Sequence, residues 1–289
     1  MRIFLTEPTR RAGFGSGDSA KDFLPIEAMS ASGTVASIYR YPVKGLSPEP
    51  MASVDLQAGE PLPLDRRYAI ENGPSGLDLA APRHLPKIHF LMLMRNERLA
   101  ALESRYDPAS HELAIHHHGE EVARGNLQTD EGRTAIERFF ARTFARELRG
   151  PPRVLEAPGH SFSDTPKKVV SLINLASVAE LAALTGQPVH PLRFRANVYI
   201  AGWPAWHEFD LIGRTLAVGN VRLTITKRIV RCAAVNVDPL TGLRDLTLPH
   251  DMMRRYGHDD CGVYAEVVAG GTVTAGDPIV ASEQLSSTA

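Results

Sequence analysis

Prolines set the first limit on how this chain can fold. Pro42, Pro48, Pro50, Pro61 and Pro63 punctuate its early part. Each fixes φ and removes a backbone donor, which disfavours helix and places the segment at sheet edges and turns. The stretches beside these breaks have the length and period of strands, at 35–40, 67–71, 87–94 and 112–117. Within 87–94, Ile88, Phe90, Met92 and Met94 alternate with His89, Leu91 and Leu93, so a central strand with two apolar faces is expected.

Helices belong to the middle of the chain. Ile136, Phe139, Phe140, Phe144 and Leu148 form one apolar stripe. Thr129 or Asp130 can cap its start, and Gly150-Pro151-Pro152 ends it. A second helix is expected over 175–185, between an N-cap at Asn174 and a glycine at Gly186. Beyond Pro191 strands return at 197–201, 215–218, 221–225, 232–237 and 263–268. A short helix over 249–256 is closed by Gly257, and the chain ends on a hairpin of 272–274 with 278–280. This order predicts an α+β protein dominated by barrel-like sheet with a few flanking helices.

Length and charge narrow the function classes. A chain of 289 residues is long enough for two lobes at about 150 residues each. Residues 1–33 are Gly/Ser-rich and expected to be disordered, with Met29 an alternative start; 34–150 and 151–283 make the two domains, and 284–289 a tail. The 32 Lys+Arg against 33 Asp+Glu give no global field for nucleic acid. No secretory signal and no apolar run of about 18 residues is present, so no membrane span and a cytoplasmic location are expected. Two cysteines cannot supply a plant-type iron–sulfur cluster or a Cys₄ zinc site.

Those two cysteines differ in their surroundings. Cys232 follows Lys227, Arg228 and Arg231, cations that favour thiolate; Cys261 follows Asp259 and Asp260, which oppose it. Each also reads as a small buried hydrophobe. From His190 to Arg231 seven Lys/Arg face two acids, a local basic excess hidden in the balanced total. Arg193 and Arg195, two apart, share one strand face with Asn197, suited to a phosphate or carboxylate or simply solvated. Asn174 and Ser177 at a helix start form either an anion site or an ordinary cap. His116-His117-His118 alternates across a strand, which separates His117 from its neighbours. Gly159-His160-Ser161-Phe162-Ser163 lacks the last glycine of a nucleophile elbow, and His207-Glu208 lacks a second helical histidine.

The ordered series Arg193-Phe194-Arg195-Ala196-Asn197, Trp206-His207-Glu208, Arg231-Cys232, Val237-Asp238-Pro239 and Gly262-Val263-Tyr264 resembles the MOSC domain. Upstream, Tyr39-Arg40-Tyr41-Pro42-Val43-Lys44-Gly45 and Leu64-Asp65-Arg66-Arg67-Tyr68 resemble its companion N-terminal β-barrel domain. The resemblance implies a molybdenum cofactor, with Cys232 as both metal ligand and catalytic residue. It implies cofactor contacts from Lys44, Arg66, Asn174, Ser177, Arg195, Asn197, Arg231 and Tyr264. The implied reaction is oxygen-atom removal from N-hydroxylated or N-oxide small molecules. Electrons would come from an external protein of ferredoxin, flavodoxin or cytochrome type. The alternative it leaves is a cofactor carrier or a persulfide-handling protein without reductase activity; no pyridoxal phosphate is expected. Gly45 stands where relatives with a Lys-Ser pair have a hydroxyl, and Val230 replaces a small polar residue before Arg-Cys.

Overall fold

The computed structural model describes residues 32–281; the expectations for residues 1–31, the alternative start and the tail lie outside them, while Gly33, expected in the disordered segment, opens the first strand. The first half contributes β1 (Gly33–Arg40), β2 (Glu49–Met51), β3 (Ser53–Leu56), β4 (Tyr68–Asn72), β5 (Glu103–Asp107), β6 (Glu112–His117) and β7 (Glu120–Asn126). Helix α1 (Asp130–Thr143) and β8 (Pro152–Glu156) follow. Next come β9 (Val170–Asn174), α2 (Leu175–Thr185), β10 (Val198–Ala201), α3 (His207–Asp210), β11 (Thr215–Val218) and β12 (Val221–Val230). Last are α4 (Leu248–Tyr256), β13 (Asp260–Ala269), β14 (Gly271–Thr274) and β15 (Pro278–Ala281). The α+β, strand-dominated class is as expected.

Seven strands close into a barrel in the order β1-β10-β9-β13-β12-β11-β15, with β15 returning to β1. Only β9 and β10 run parallel in that ring, and α2 lies on the crossover between them, as a parallel pair requires. Alternation along the strands sends Val35, Leu172, Ile200, Leu216, Leu223, Val263 and Ile279 into one buried core. The second core lies under β5, β6 and β7, where the Ile136, Phe139, Phe140 and Phe144 stripe is buried as the sequence predicts. Gly125 and Gly132 let α1 lie on β7: a Cβ on either would stand 2.1 Å from the other segment's backbone oxygen.

Strand pairing crosses residue 150 in four places. β1 pairs with β10 and with β15, β3 with β14, and β4 with β8. The two regions are thereby interleaved, and residues from both reach the wall between them.

Three local expectations fail. Residues 87–94 make a 3₁₀ turn (Lys87–His89), one bridge at Phe90 and further turns instead of a central strand. Their apolar side chains are buried by packing from loops on several sides, which produces the same run of hydrophobic letters. Residues 232–237 make a 3₁₀ turn, Ala233–Asn236. The closing hairpin is not one: β14 pairs with β3, while β15 pairs with β1 and β11. The reversal at Gly276 is present (φ 99°), but its two arms have different partners.

Candidate functional site

Cys232 lies two residues beyond the end of β12 and caps the following 3₁₀ turn, half-buried in a cavity of about 470 Å³. Arg231, just before it, turns inward. Its Nε donates to Cys261 O at 2.7 Å and its Nη1 to Phe194 O at 3.0 Å, while the buried Nη2 has no partner. Gly262 makes room for this guanidinium; it sits at φ 76°, and a Cβ there would meet Leu172 O at 2.5 Å and Arg231 Nη2 at 3.1 Å.

Arg195 lines the same cavity. It closes the 3₁₀ turn Pro191–Phe194 in the left-handed region, φ 51°, a conformation uncommon for a residue other than glycine and held here by the turn. Its guanidinium lies 4.3 Å from the Tyr41 ring centroid, with that of Arg66 at 4.4 Å from the same ring. Arg66 is neutralised by Asp65 and donates to Arg195 O at 2.7 Å. Arg195 has no such acid: its Nη2 is buried and unpaired, and burial pulls its pKa down to about 10.

The floor carries a lysine pair. Lys44 Nζ donates to Phe162 O at 2.8 Å and pairs with Asp164; Lys87 reaches the other Asp164 oxygen at 3.3 Å. Burial opposes ionisation of Asp164, but the two ammonium groups override it and hold the carboxyl well below the usual range. Lys87 also faces the Cys232 sulfur. Burial lowers its pKa, and Asp164 and Cys232 together reverse that into a rise. Eight Lys/Arg side chains against two Asp line the cavity, so it favours an anion.

The family follows from the sequence match: the MOSC N-terminal beta barrel domain matches residues 32–147, and the MOSC domain matches residues 159–280. The chain is a MOSC protein. This MOSC protein is 25% identical over 232 residues to a molybdenum cofactor sulfurase of Caenorhabditis elegans, covering 78% of the chain but 32% of the relative. It thus spans about a third of that relative's length. It is 23% identical over 286 residues to the human mitochondrial amidoxime-reducing component 1, covering 86% of the chain and 82% of the relative. The crystal structure of the YuaD protein from Bacillus subtilis matches 88% of this chain and 97% of its own, at 14% identity and a TM-score of 0.41.

Among the site residues expected of the MOSC protein, Lys44, Arg66, Arg195, Asn197, Arg231, Cys232 and Tyr264 line one cavity. Asn197 does so with its amide already engaged: Oδ1 accepts from Ser171 N and Oγ at 3.1 and 2.8 Å, and Nδ2 donates to Tyr39 O at 3.2 Å. It ties three segments together behind the arginines. Asn174 and Ser177 are elsewhere. The start of α2 does hold an anion, but it is the chain's own Glu208, which takes hydrogen bonds from Asn174 Nδ2 at 3.0 Å and Ser177 Oγ at 2.9 Å. Neither side chain is left for a ligand.

Arg193 corrects a further expectation. The left-handed turn at Arg195 breaks the strand alternation, and Arg193 clamps Asp245 through two bonds of 2.7 Å and Asp238 at 3.0 Å. Cys261 is fully buried, and burial pushes its thiol up to about 12. Among the described residues no cluster of three or more His, Cys, Asp or Glu could hold a metal, the triple histidine included. Sequence reasoning missed Lys87, Asp164 and Tyr41. The run 87–94 read as a strand, no local motif marks Asp164, and Tyr41 lies inside the 39–45 stretch without being singled out there.

Proposed function

We propose that this MOSC protein binds a molybdenum cofactor in the cavity and reduces N-hydroxylated or N-oxide small molecules, taking electrons from an external donor protein. The observation that carries the reading is the pair of buried, partnerless Nη2 groups on Arg195 and Arg231, in the wall of the cavity that also holds Cys232. An unpaired buried donor costs about 1–3 kcal/mol, and an anionic ligand removes that cost twice here. A molybdenum pterin brings phosphate and dithiolene oxygens and sulfurs, and the residues present fit it.

When bound, the cofactor supplies two-electron oxygen-atom chemistry. The chain's own groups do the rest. Cys232 offers a soft thiolate for the metal. Arg195 and Arg231 donate to the ligand's acceptors, while Tyr41 and the Phe194 carbonyl hold their planes. Lys44 and Asp164 fix Lys87 beside the Cys232 sulfur, where its ammonium offsets negative charge. Tyr264, with Lys227 at 5.7 Å from its ring, borders the same space.

The match to part of a sulfurase favours a second reading, a carrier that holds cofactor or persulfide sulfur at Cys232 without turnover. Both are tested on protein matured in a cofactor-producing host. The reductase reading expects stoichiometric molybdenum and pterin, benzamidoxime reduction with reduced methyl viologen, and loss of that activity by at least about a hundredfold in Cys232→Ala. Bound cofactor with a persulfide on Cys232 and no turnover selects the carrier. Absence of pterin overturns the reductase and the cofactor carrier, and absence of a Cys232 persulfide as well overturns the second reading whole.

A further inference from the structure

Three side chains stand out on the surface for their exposure. Leu240 (74%), Val230 (69%) and Leu243 (65%) are the most exposed large apolar residues among those described. All three fall in the short stretch that carries Cys232. Scattered exposed hydrophobes need no explanation; three concentrated beside a candidate redox centre do.

The two leucines do not sit on a slack loop. Asp238 Oδ1 accepts from Leu240 N at 3.0 Å, Thr241 N at 2.9 Å and Thr241 Oγ1 at 3.1 Å. The buried Arg193 grips Asp238 and Asp245 at the two ends of the turn. Arg244 then ties the turn to the Cys232 segment, donating to Ala233 O at 2.6 Å, and to the first region through Glu97 at 3.3 Å. Gly242 (φ 71°) packs against the backbone of Glu97 and Ala101. The fold therefore holds two leucines in solvent on a rigid mount, so covering them costs little ordering entropy. Val230 borders the cavity itself, beside the exposed cations Lys227 and Arg228.

We infer that this face, with Val230, Leu240 and Leu243 at its centre and Lys227, Arg228 and Arg244 around them, docks an electron-carrier protein with an acidic contact surface. An apolar centre with a charged rim is the anatomy of a protein interface. With the cavity's own cations turned toward the anionic cofactor, the exposed Lys227, Arg228 and Arg244 supply the field that steers an acidic partner. The inference rests on the reductase reading, which requires two electrons from outside the chain for each N–O bond cleaved, with two protons leaving as water.

The test compares the full-length, cofactor-loaded protein with its Leu240→Ser/Leu243→Ser variant; both positions are exposed and outside the cavity wall. Reduced flavodoxin and plant-type ferredoxin serve as acidic carriers and reduced methyl viologen as a small donor. Carrier-driven benzamidoxime reduction is expected to fall about tenfold in the variant, with the viologen-driven rate unchanged. Titration of isotope-labelled flavodoxin, followed by its amide shifts, is expected to show a Kd raised about tenfold and weakened further by salt. Equal carrier binding by wild type and variant overturns the inference, as does wild-type protein that turns over with viologen and binds neither carrier. Leucine-dependent sedimentation with anionic phosphatidylserine vesicles, without carrier binding, assigns the face to a lipid surface and also overturns it. Leucine-dependent carrier binding without turnover by any donor supports the docking face and counts against the reductase reading.

Discussion

Two places in this fold are built to hold negative charge, and they differ in whether the chain supplies it. At the start of α2, Asn174 and Ser177 converge on Glu208, a carboxylate only 1% exposed. In the cavity, the buried Nη2 groups of Arg195 and Arg231 have no partner from the chain. The first is a closed circuit and stabilises the fold; the second gets no acid from the chain, and under the proposed function an anionic cofactor supplies the charge. Basic or capping residues in a sequence mark both kinds alike. What separates them is whether an acid from a distant segment folds into place.

The comparison is broken most severely at Arg195. Arg195→Met should weaken cofactor retention by about 2–5 kcal/mol, or at least about thirtyfold, since it removes one side of a buried charged pair. Cofactor-free protein should be as stable as wild type or more so, because an uncompensated buried charge is gone. Pterin content and urea midpoints of the same preparations measure the two. A cofactor-free variant destabilised by several kcal/mol would place Arg195 among the structural arginines, with Arg193.

Glu208→Ala should give the opposite signature. Removing the acceptor strands the Asn174 and Ser177 donors at about 1–3 kcal/mol each. The urea midpoint should fall, with little change in cofactor affinity per folded molecule; Glu208→Gln should recover part of the loss.

The smallest effect is expected from pH. Burial raises the Glu208 pKa on folding, against the pull of its hydrogen bonds. A carboxyl raised on folding gains relative stability as pH falls through its folded value. Asp164 is lowered by Lys44 and Lys87, so its contribution is present above the unfolded value of about 3.9 and is lost as pH falls through its folded value. Asp164 is 46% exposed, so solvent screens the pair and the change is slight. Asp164→Asn should flatten the acid limb of a stability-against-pH curve measured by urea unfolding, while Glu208→Gln alters it at higher pH.

Local signals in the sequence carried well. Helix α2 runs Leu175–Thr185 as expected, because Asn174 caps it through Ala176 N and Gly186 takes the left-handed turn at φ 66°. Both signals lie within one turn of the helix. Long-range pairing was not legible. Nothing near residue 271 indicates that β14 will choose β3 over β15, since that choice is made by Asp55 and its neighbours far up the chain. For the site, Cys232 and its basic context were visible locally, and the family resemblance supplied Lys44 and Arg66. Lys87 and Asp164 were invisible because their meaning arises only when two loops from opposite halves meet, Asp164 pairing with Lys87 and Lys87 facing the Cys232 sulfur.

The ring of strands has a consequence for biogenesis. Its seam joins β1, the first strand described, to β15, the last. No ring can therefore close while synthesis is still under way between them, and the contacts that complete it are of high contact order, which slows folding. Lys44 and Arg66 emerge from the ribosome long before Cys232 and Gly262, yet all four must stand around one space. The cavity is thus a late product of folding, and the two arginine tips stay exposed to water from the time each emerges until the ring closes.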